Sequence, residues 1–224
     1  MFKRLRRLHP GSSIPHIAFY DFCRRCCLVW IALAHGIKVR SIERLPTEGA
    51  VLIVANHASF YDPPAIGCRV GSRHLDYIAR ATLFKVPGFG KLISYLNTVP
   101  INQQGGDTAA MKATLARLKE GRAVVIFPEG ERARDGELKD FKRGAAVILK
   151  RSSCPVLLVA ITGAFEAWPR HKKIPRLFKG PIRVNYGQPI PHAELMADGA
   201  DAALQRLHDE VARLKAELES DAKP

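Results

Sequence analysis

The sequence predicts an α/β fold: a single domain with a largely parallel central sheet flanked by helices. Three observations carry this. Short apolar runs rich in β-branched residues recur at 50–55, 75–79, 98–101, 123–127 and 156–161, with a weaker one at 182–186. Between them lie segments of helical periodicity. The clearest run, 50–55, is continuously apolar rather than alternating, as expected of a strand covered by helices on both faces. The 224 residues, 47% hydrophobic and 25% charged, suit one compact domain and exclude a disordered chain. Glycine without a period and five cysteines exclude collagen-like and disulfide-scaffold architectures.

In chain order, Pro15 is a plausible entry to a helix running to about Ala34, with Gly36 at its exit. Residues 1–36 are thus expected to be a basic, amphipathic, membrane-docking helical segment, and residues 37–224 the α/β domain. The uncharged apolar stretch 26–37 has twelve residues; a membrane span needs about 20. It is too short to cross alone and long enough to lie in an interface, with Trp30 in its middle and bases on both sides. A helix packed on its own domain fits equally well, and both readings stay open. Asp21, Arg24 and Arg25 interrupt what a cleaved secretory signal would keep apolar, so a reducing cytosol is expected. Cys23, Cys26 and Cys27 have helical spacing, but no second CxxC or CxxH completes a metal site. They are expected as small hydrophobic residues on a buried helix face.

A strand at 37–42 and a turn at Pro46 and Gly49 lead into the strand 50–55. Helical patterns follow at 63–70, 88–96, 108–118 and 145–150. At the C-terminus Leu204, Leu207, Val211, Leu214 and Leu218 are spaced three and four apart, which makes an amphipathic helix packing on the domain.

The formal charge is +14, unevenly spread. Residues 1–40 hold eight Lys/Arg and one acid; residues 167–193 hold six Lys/Arg and no acid. Such a surface expects a polyanionic partner, nucleic acid or anionic membrane.

The chemistry-bearing residues follow the strands. In open α/β sheets ligands collect beyond the carboxyl ends of strands. The strand 50–55 runs into Asn56-His57-Ala58-Ser59-Phe60-Tyr61-Asp62-Pro63. Asp62 before Pro63 suits a helix N-cap, and a rigid carboxylate can orient an imidazole through its ring N–H. His57 is then a general base. A second His-x4-Asp pair, His16 and Asp21, lies on the N-terminal helix, where five residues put the side chains roughly 140° apart. Ser59 is too close in the chain to serve as nucleophile, and no G-x-S-x-G elbow exists. The base is therefore expected to activate a substrate hydroxyl or water. After the strand 123–127 comes Phe127-Pro128-Glu129-Gly130-Glu131-Arg132-Ala133-Arg134. Gly130 permits close backbone approach, Arg132 and Arg134 offer anion-binding forks and Glu129 can accept from a hydroxyl, which suits a phosphorylated polyol.

The two blocks, Asn56 to Asp62 and Phe127 to Arg132, resemble the first and third signature blocks of the glycerolipid acyltransferases, most closely the 1-acylglycerol-3-phosphate type. Residues 83–90, 136–145 and 154–160 resemble the surrounding segments, so the likeness covers about 37–190. It implies transfer of an acyl group from an acyl-CoA or acyl-carrier-protein thioester, with no cofactor, to a lysophospholipid hydroxyl. His57 takes the proton, Asp62 orients it, and Glu129, Gly130, Arg132 and Gln103 bind the acceptor. Gln103 stands where the family's second block ends in Arg, Glu131 where the third has Thr, and Leu158 where the fourth has a second Pro. These departures leave open another lysophospholipid or a lyso-aminolipid as acceptor. The expected location is the cytoplasmic side of a membrane, peripheral or monotopic, with Trp30, Arg24, Arg25, Trp168, Lys172 and Lys173 docking on an anionic surface.

The rival classes are a thioester hydrolase using the same pair and a basic nucleic-acid-binding protein. The latter lacks an RNP1-like run, a zinc finger and a helix-turn-helix pattern, so no nucleic acid is expected. A metal enzyme has the least support, since HExxH is absent and no metal site is expected.

Overall fold

The computed structural model describes residue 3, residues 12–101 and residues 107–222. Among the described residues seven strands form one sheet: β1 (Ile37–Arg40), β2 (Val51–Ala55), β3 (Leu75–Arg80), β4 (Thr98–Ile101), β5 (Ala123–Ile126), β6 (Val156–Thr162) and β7 (Ile182–Tyr186). Their order across the sheet is β1-β7-β6-β2-β5-β3-β4. Every neighbouring pair is parallel except β6 with β7. An antiparallel neighbour needs no crossover to the far end of the sheet. The connection 163–181 therefore stays at the carboxyl end of β6, the end at which β2 and β5 also finish.

The helices are α1 (Ile14–Ala34), α2 (Asp62–Gly67), α3 (Ala81–Phe84), α4 (Phe89–Tyr95), α5 (Asp107–Lys119), α6 (Arg143–Arg151), α7 (Ala164–Ala167), α8 (His192–Leu195) and α9 (Ala200–Ser220). β2 shows why its sequence is apolar throughout. Val51, Ile53 and Ala55 face one core with Ile31 of α1 and Ala65 and Ile66 of α2. Leu52 and Val54 face the other with Ile148 and Leu149 of α6 and Leu207, Val211, Leu214 and Leu218 of α9. Each such side chain contributes about 1.5–3 kcal/mol by burial. The C-terminal helix thus packs on the domain, as its spacing predicts.

α1 starts at Ser13, whose side chain accepts the His16 N–H at 3.3 Å, with Pro15 in the first turn where no donor is required. It ends before Gly36, whose φ of +80° favours glycine. Ile17, Tyr20, Ile31 and Ala34 are buried. The Tyr20 ring stacks on His74 at 3.8 Å, and its hydroxyl both donates to the Leu75 carbonyl and accepts the Leu75 N–H. The other side of α1 leaves Phe22, Val29, Trp30 and Leu33 exposed, Leu33 by 75%. Among the described residues no helix is long and apolar enough to cross a membrane. The cysteines depart from the buried face expected of them: Cys26 is exposed, and Cys23 and Cys27 are half-buried against a cavity. Ile17, Tyr20 and Ile31 take the inward positions instead.

The amino end of the sheet is clamped by charge. Asp76 on β3 receives two hydrogen bonds from Arg122, at 2.5 and 2.8 Å, and both residues are buried. Buried Arg73 donates to the carbonyls of Pro46, Gly49 and Gly121.

Candidate active site

At the opposite end of the sheet, the loop after β2 folds back on itself. His57 Nδ1 lies 2.8 Å from Asp62 Oδ2. The same Asp62 oxygen accepts the backbone N–H groups of Ala58 and Ser59, both at 2.7 Å. Asp62 is thus not the N-cap that its place before Pro63 predicts. It is the first residue of α2, and its carboxylate bonds the loop before the helix rather than the helix's own N–H groups. Its side chain is 1% exposed against 19% for His57. An imidazole that donates Nδ1–H to a fixed carboxylate carries its lone pair on Nε2. The ring also stacks on Phe127 with centroids 4.1 Å apart. The His16–Asp21 pair does not meet: His16 bonds the Tyr95 carbonyl and Asp21 pairs with Arg24.

The second block is stitched to the first through the backbone of His57. Glu129 Oε1 accepts the His57 N–H at 2.6 Å, and the Ala133 N–H donates to the His57 carbonyl at 2.8 Å. Glu129 Oε2 accepts the Lys139 N–H at 3.3 Å. Both oxygens of Glu129, expected to receive an acceptor hydroxyl, are therefore engaged with main chain. Burial pushes the Glu129 carboxyl up to about 7, against the opposing pull of those two N–H groups. Gly130 adopts φ +74°, and a β-carbon there would meet Lys142 at 2.6 Å. Two residues on, the Arg132 guanidinium lies 3.6 Å from the Phe60 ring centroid. Burial lowers its pKa, and so do Arg170 and Arg80 nearby. Gln103 lies outside the described residues.

His57, Gly130 and Arg132 border a cavity of about 1020 Å³ that extends between α1, α2, β3 and α4. Its lining is largely apolar, with Cys23, Cys27, Cys68, Tyr77 and Leu96 among its walls. Arg24, expected on the docking face, lines this cavity instead. Its guanidinium bonds Asp21 and the Cys68 carbonyl and is 14% exposed, because these partners draw it inward. Arg25, Lys172 and Lys173 are exposed, and Trp30 is half-exposed. Trp168 is half-buried against Phe60 and Tyr61. No group of three His, Cys, Asp or Glu side chains able to hold a metal occurs among the described residues.

A strand-end imidazole held by a buried carboxylate, beside an arginine and an apolar cavity, is an arrangement suited to group transfer on an amphiphilic molecule. The acyltransferase family model matches residues 36–162, and the chain belongs to that family; it is an O-acyltransferase. It is 26% identical over 198 residues to the 1-acyl-sn-glycerol-3-phosphate acyltransferase of Bacillus subtilis, covering 85% of this chain and 96% of that protein. With the enzyme of the same name from Cocos nucifera it shares 30% identity over 184 residues, 81% of this chain and 58% of the relative. Its fold is that of the 1-acyl-sn-glycerophosphate acyltransferase PlsC from Thermotoga maritima, with a TM-score of 0.67 at 24% identity, over 95% of this chain and 87% of that one.

Sequence reasoning missed several residues that build this site. The Asn56 amide bonds both the N–H and the carbonyl of Ile161, extending the β2–β6 ladder by a side chain. Ser59 Oγ donates to the Trp168 carbonyl and accepts the Tyr61 N–H, which binds the 163–181 connection to the loop carrying His57. Arg170, on that connection, donates to Glu131 Oε2 at 2.7 Å and to the Arg132 carbonyl at 3.1 Å. Only the place of Asn56 between the apolar run and His57 was a signal available in the sequence.

Proposed function

We propose that the protein moves a fatty acyl group from an acyl-CoA or acyl-carrier-protein thioester to the free hydroxyl of a lysophospholipid of the lysophosphatidate type. His57 Nε2 takes the hydroxyl proton as the oxygen attacks the thioester carbon; the thiolate leaves and recovers a proton. Asp62 holds the imidazole and stabilises its protonated form. The observation that carries this reading is the His57–Asp62 pair at 2.8 Å on the rim of a largely apolar cavity of about 1020 Å³. Such a cavity suits an acyl chain, with Arg132 beside it for the acceptor's anionic group. The relatives' names support the acceptor class. The test is thiol release from an acyl thioester with and without lysophosphatidate. Release that needs the acceptor, and that His57→Ala abolishes, is expected; equal release without acceptor would make the protein a thioester hydrolase.

The same reading places the protein peripherally on an anionic membrane. What supports it is the meeting of the two basic segments. The Phe178 N–H donates to the Ala34 carbonyl at 2.8 Å, and Trp30 and Trp168 both contact Tyr61. Around this junction Leu33, Ile174 and Phe178 are each at least 75% exposed, with Lys172, Lys173, Arg176 and Lys179 exposed beside them. Apolar residues ringed by bases suit the boundary of an anionic bilayer. Ile174→Glu with Phe178→Glu is expected to weaken sedimentation with phosphatidylglycerol vesicles by about tenfold or more. Binding equal to wild type would remove the 163–181 connection from the docking surface.

A further inference from the structure

Arg170 belongs to neither signature block, yet the antiparallel return of β7 brings it to the rim of the site. It is held there by the Ser59–Pro169 bridge and the Ser59–Trp168 hydrogen bond. Arg80, at the end of β3, and Arg132 border the same cavity. Among the described residues lining it, Glu131 is the one carboxylate, and its Oε2 takes the Arg170 guanidinium at 2.7 Å. Lys139 approaches its other oxygen at 3.8 Å. Meanwhile Arg132 Nη1, shielded from solvent, has no hydrogen-bond partner. A buried guanidinium donor without an acceptor, beside a second guanidinium, is a site short of negative charge.

We propose that Arg170 is a specificity-determining residue that binds the acceptor's phosphate together with Arg132, and that Glu131 occupies Arg170 until a phosphomonoester displaces it. This rests on the lysophospholipid reading above and names the head group that the site prefers. Two guanidinium groups can share the three terminal oxygens of a phosphomonoester. Removing Arg170 from Glu131 gives up a charge-assisted hydrogen bond. A phosphomonoester, with close to two negative charges, returns more than that; a phosphodiester, with one charge and two free oxygens, does not. Glu131 therefore biases the site against phosphodiester lysolipids, a selection made by the competing contact rather than by the attractive one.

The experiment compares wild type, Arg170→Met, Arg170→Lys and Glu131→Gln with lysophosphatidate and with lysophosphatidylglycerol as acceptors, at fixed acyl thioester. Arg170→Met is expected to raise KM for lysophosphatidate by about 10–100-fold, with KM for the thioester unchanged and partial rescue in Arg170→Lys. Glu131→Gln is expected to narrow the preference for lysophosphatidate over lysophosphatidylglycerol by about tenfold. A lysophosphatidate KM within twofold of wild type in Arg170→Met overturns the proposal while leaving the acyltransferase reading standing. If Arg170→Met raises both KM values together, or fails to fold, Glu131→Gln decides, and an unchanged acceptor ratio there overturns the proposal. Wild type that acylates neither lysolipid overturns the underlying reading instead.

Discussion

The two ends of the sheet hold buried carboxylates in opposite ways. At the amino end, Asp76 meets Arg122 through two hydrogen bonds, and Arg73 satisfies three backbone carbonyls. At the carboxyl end, Asp62 and Glu129 are held by backbone N–H groups and one imidazole. There Asp62 Oδ1 and Arg132 Nη1 are buried without partners, and the Glu129 carboxyl is pushed up to about 7. A carboxylate matched to an arginine fixes strands and has nothing left to give. Asp62, held by main chain, has no arginine against it and faces the His57 imidazole instead. What separates the two ends is the partner: arginine for Asp76, main chain for Asp62 and Glu129.

The contrast can be broken from either side. At the carboxyl end, His57→Ala should lower acyl transfer by about 10²–10⁴-fold while leaving the melting temperature close to wild type. Asp62→Asn should cost roughly one to two orders of magnitude less, since it spares the base and loses its orientation and charge. Initial rates with thioester and lysophosphatidate check both; full activity in His57→Ala would end the general-base assignment.

At the amino end, Arg122→Met removes both hydrogen bonds to buried Asp76, leaving Arg117 Nε at 3.7 Å, and should cost up to about 3–5 kcal/mol in denaturant unfolding. Turnover per folded molecule should persist. A matching loss of turnover would mean that the two ends are coupled rather than separate.

The smallest effect is in the pH dependence of stability, where two buried groups act with opposite sign. Burial raises the Glu129 carboxyl from 4.5 to about 7, so the folded chain holds its proton more tightly than the unfolded one. That contribution favours folding at low pH and is withdrawn as pH rises from about 4.5 to about 7. Burial lowers the His74 imidazole from 6.5 to about 3, so its contribution is present above 6.5 and is lost as pH falls towards 3. Neither slope exceeds about 1.4 kcal/mol per pH unit. Glu129→Gln should therefore make stability rise more steeply with pH between about 4.5 and 6.5. His74→Phe, which keeps a ring against Tyr20, should do the reverse. Denaturant midpoints across that range read both; parallel curves in all three proteins would assign the slopes to other groups.

Much of the fold was readable because burial on both faces leaves a plain mark. β2 is apolar at every position since helices cover both its sides. The strand ends were legible for the same reason, and with them His57 and the loop from Phe127 to Arg132. Individual roles were less so. Whether Asp62 caps its own helix or ties the preceding loop depends on where the loop's N–H groups point. Arg24 looks like a surface base in sequence, but Asp21 and the Cys68 carbonyl turn it inward. The exposed apolar side of α1 was visible as composition, while the identity of its buried residues was decided by Tyr20 docking on His74 and Leu75.

The sequence by itself determined the layered α/β architecture, the adjacency of His57 and Asp62 after β2, and the concentration of charge in two segments. These depend on local pattern: apolar runs, a strand running into a motif, the count of bases. Tertiary structure alone decided that β7 runs back against β6, carrying both basic segments to one junction and Arg170 to Glu131. The direction of β7 is set by pairing both with β6, 21–27 residues away in the chain, and with β1, 145 residues away. No local preference encodes that choice.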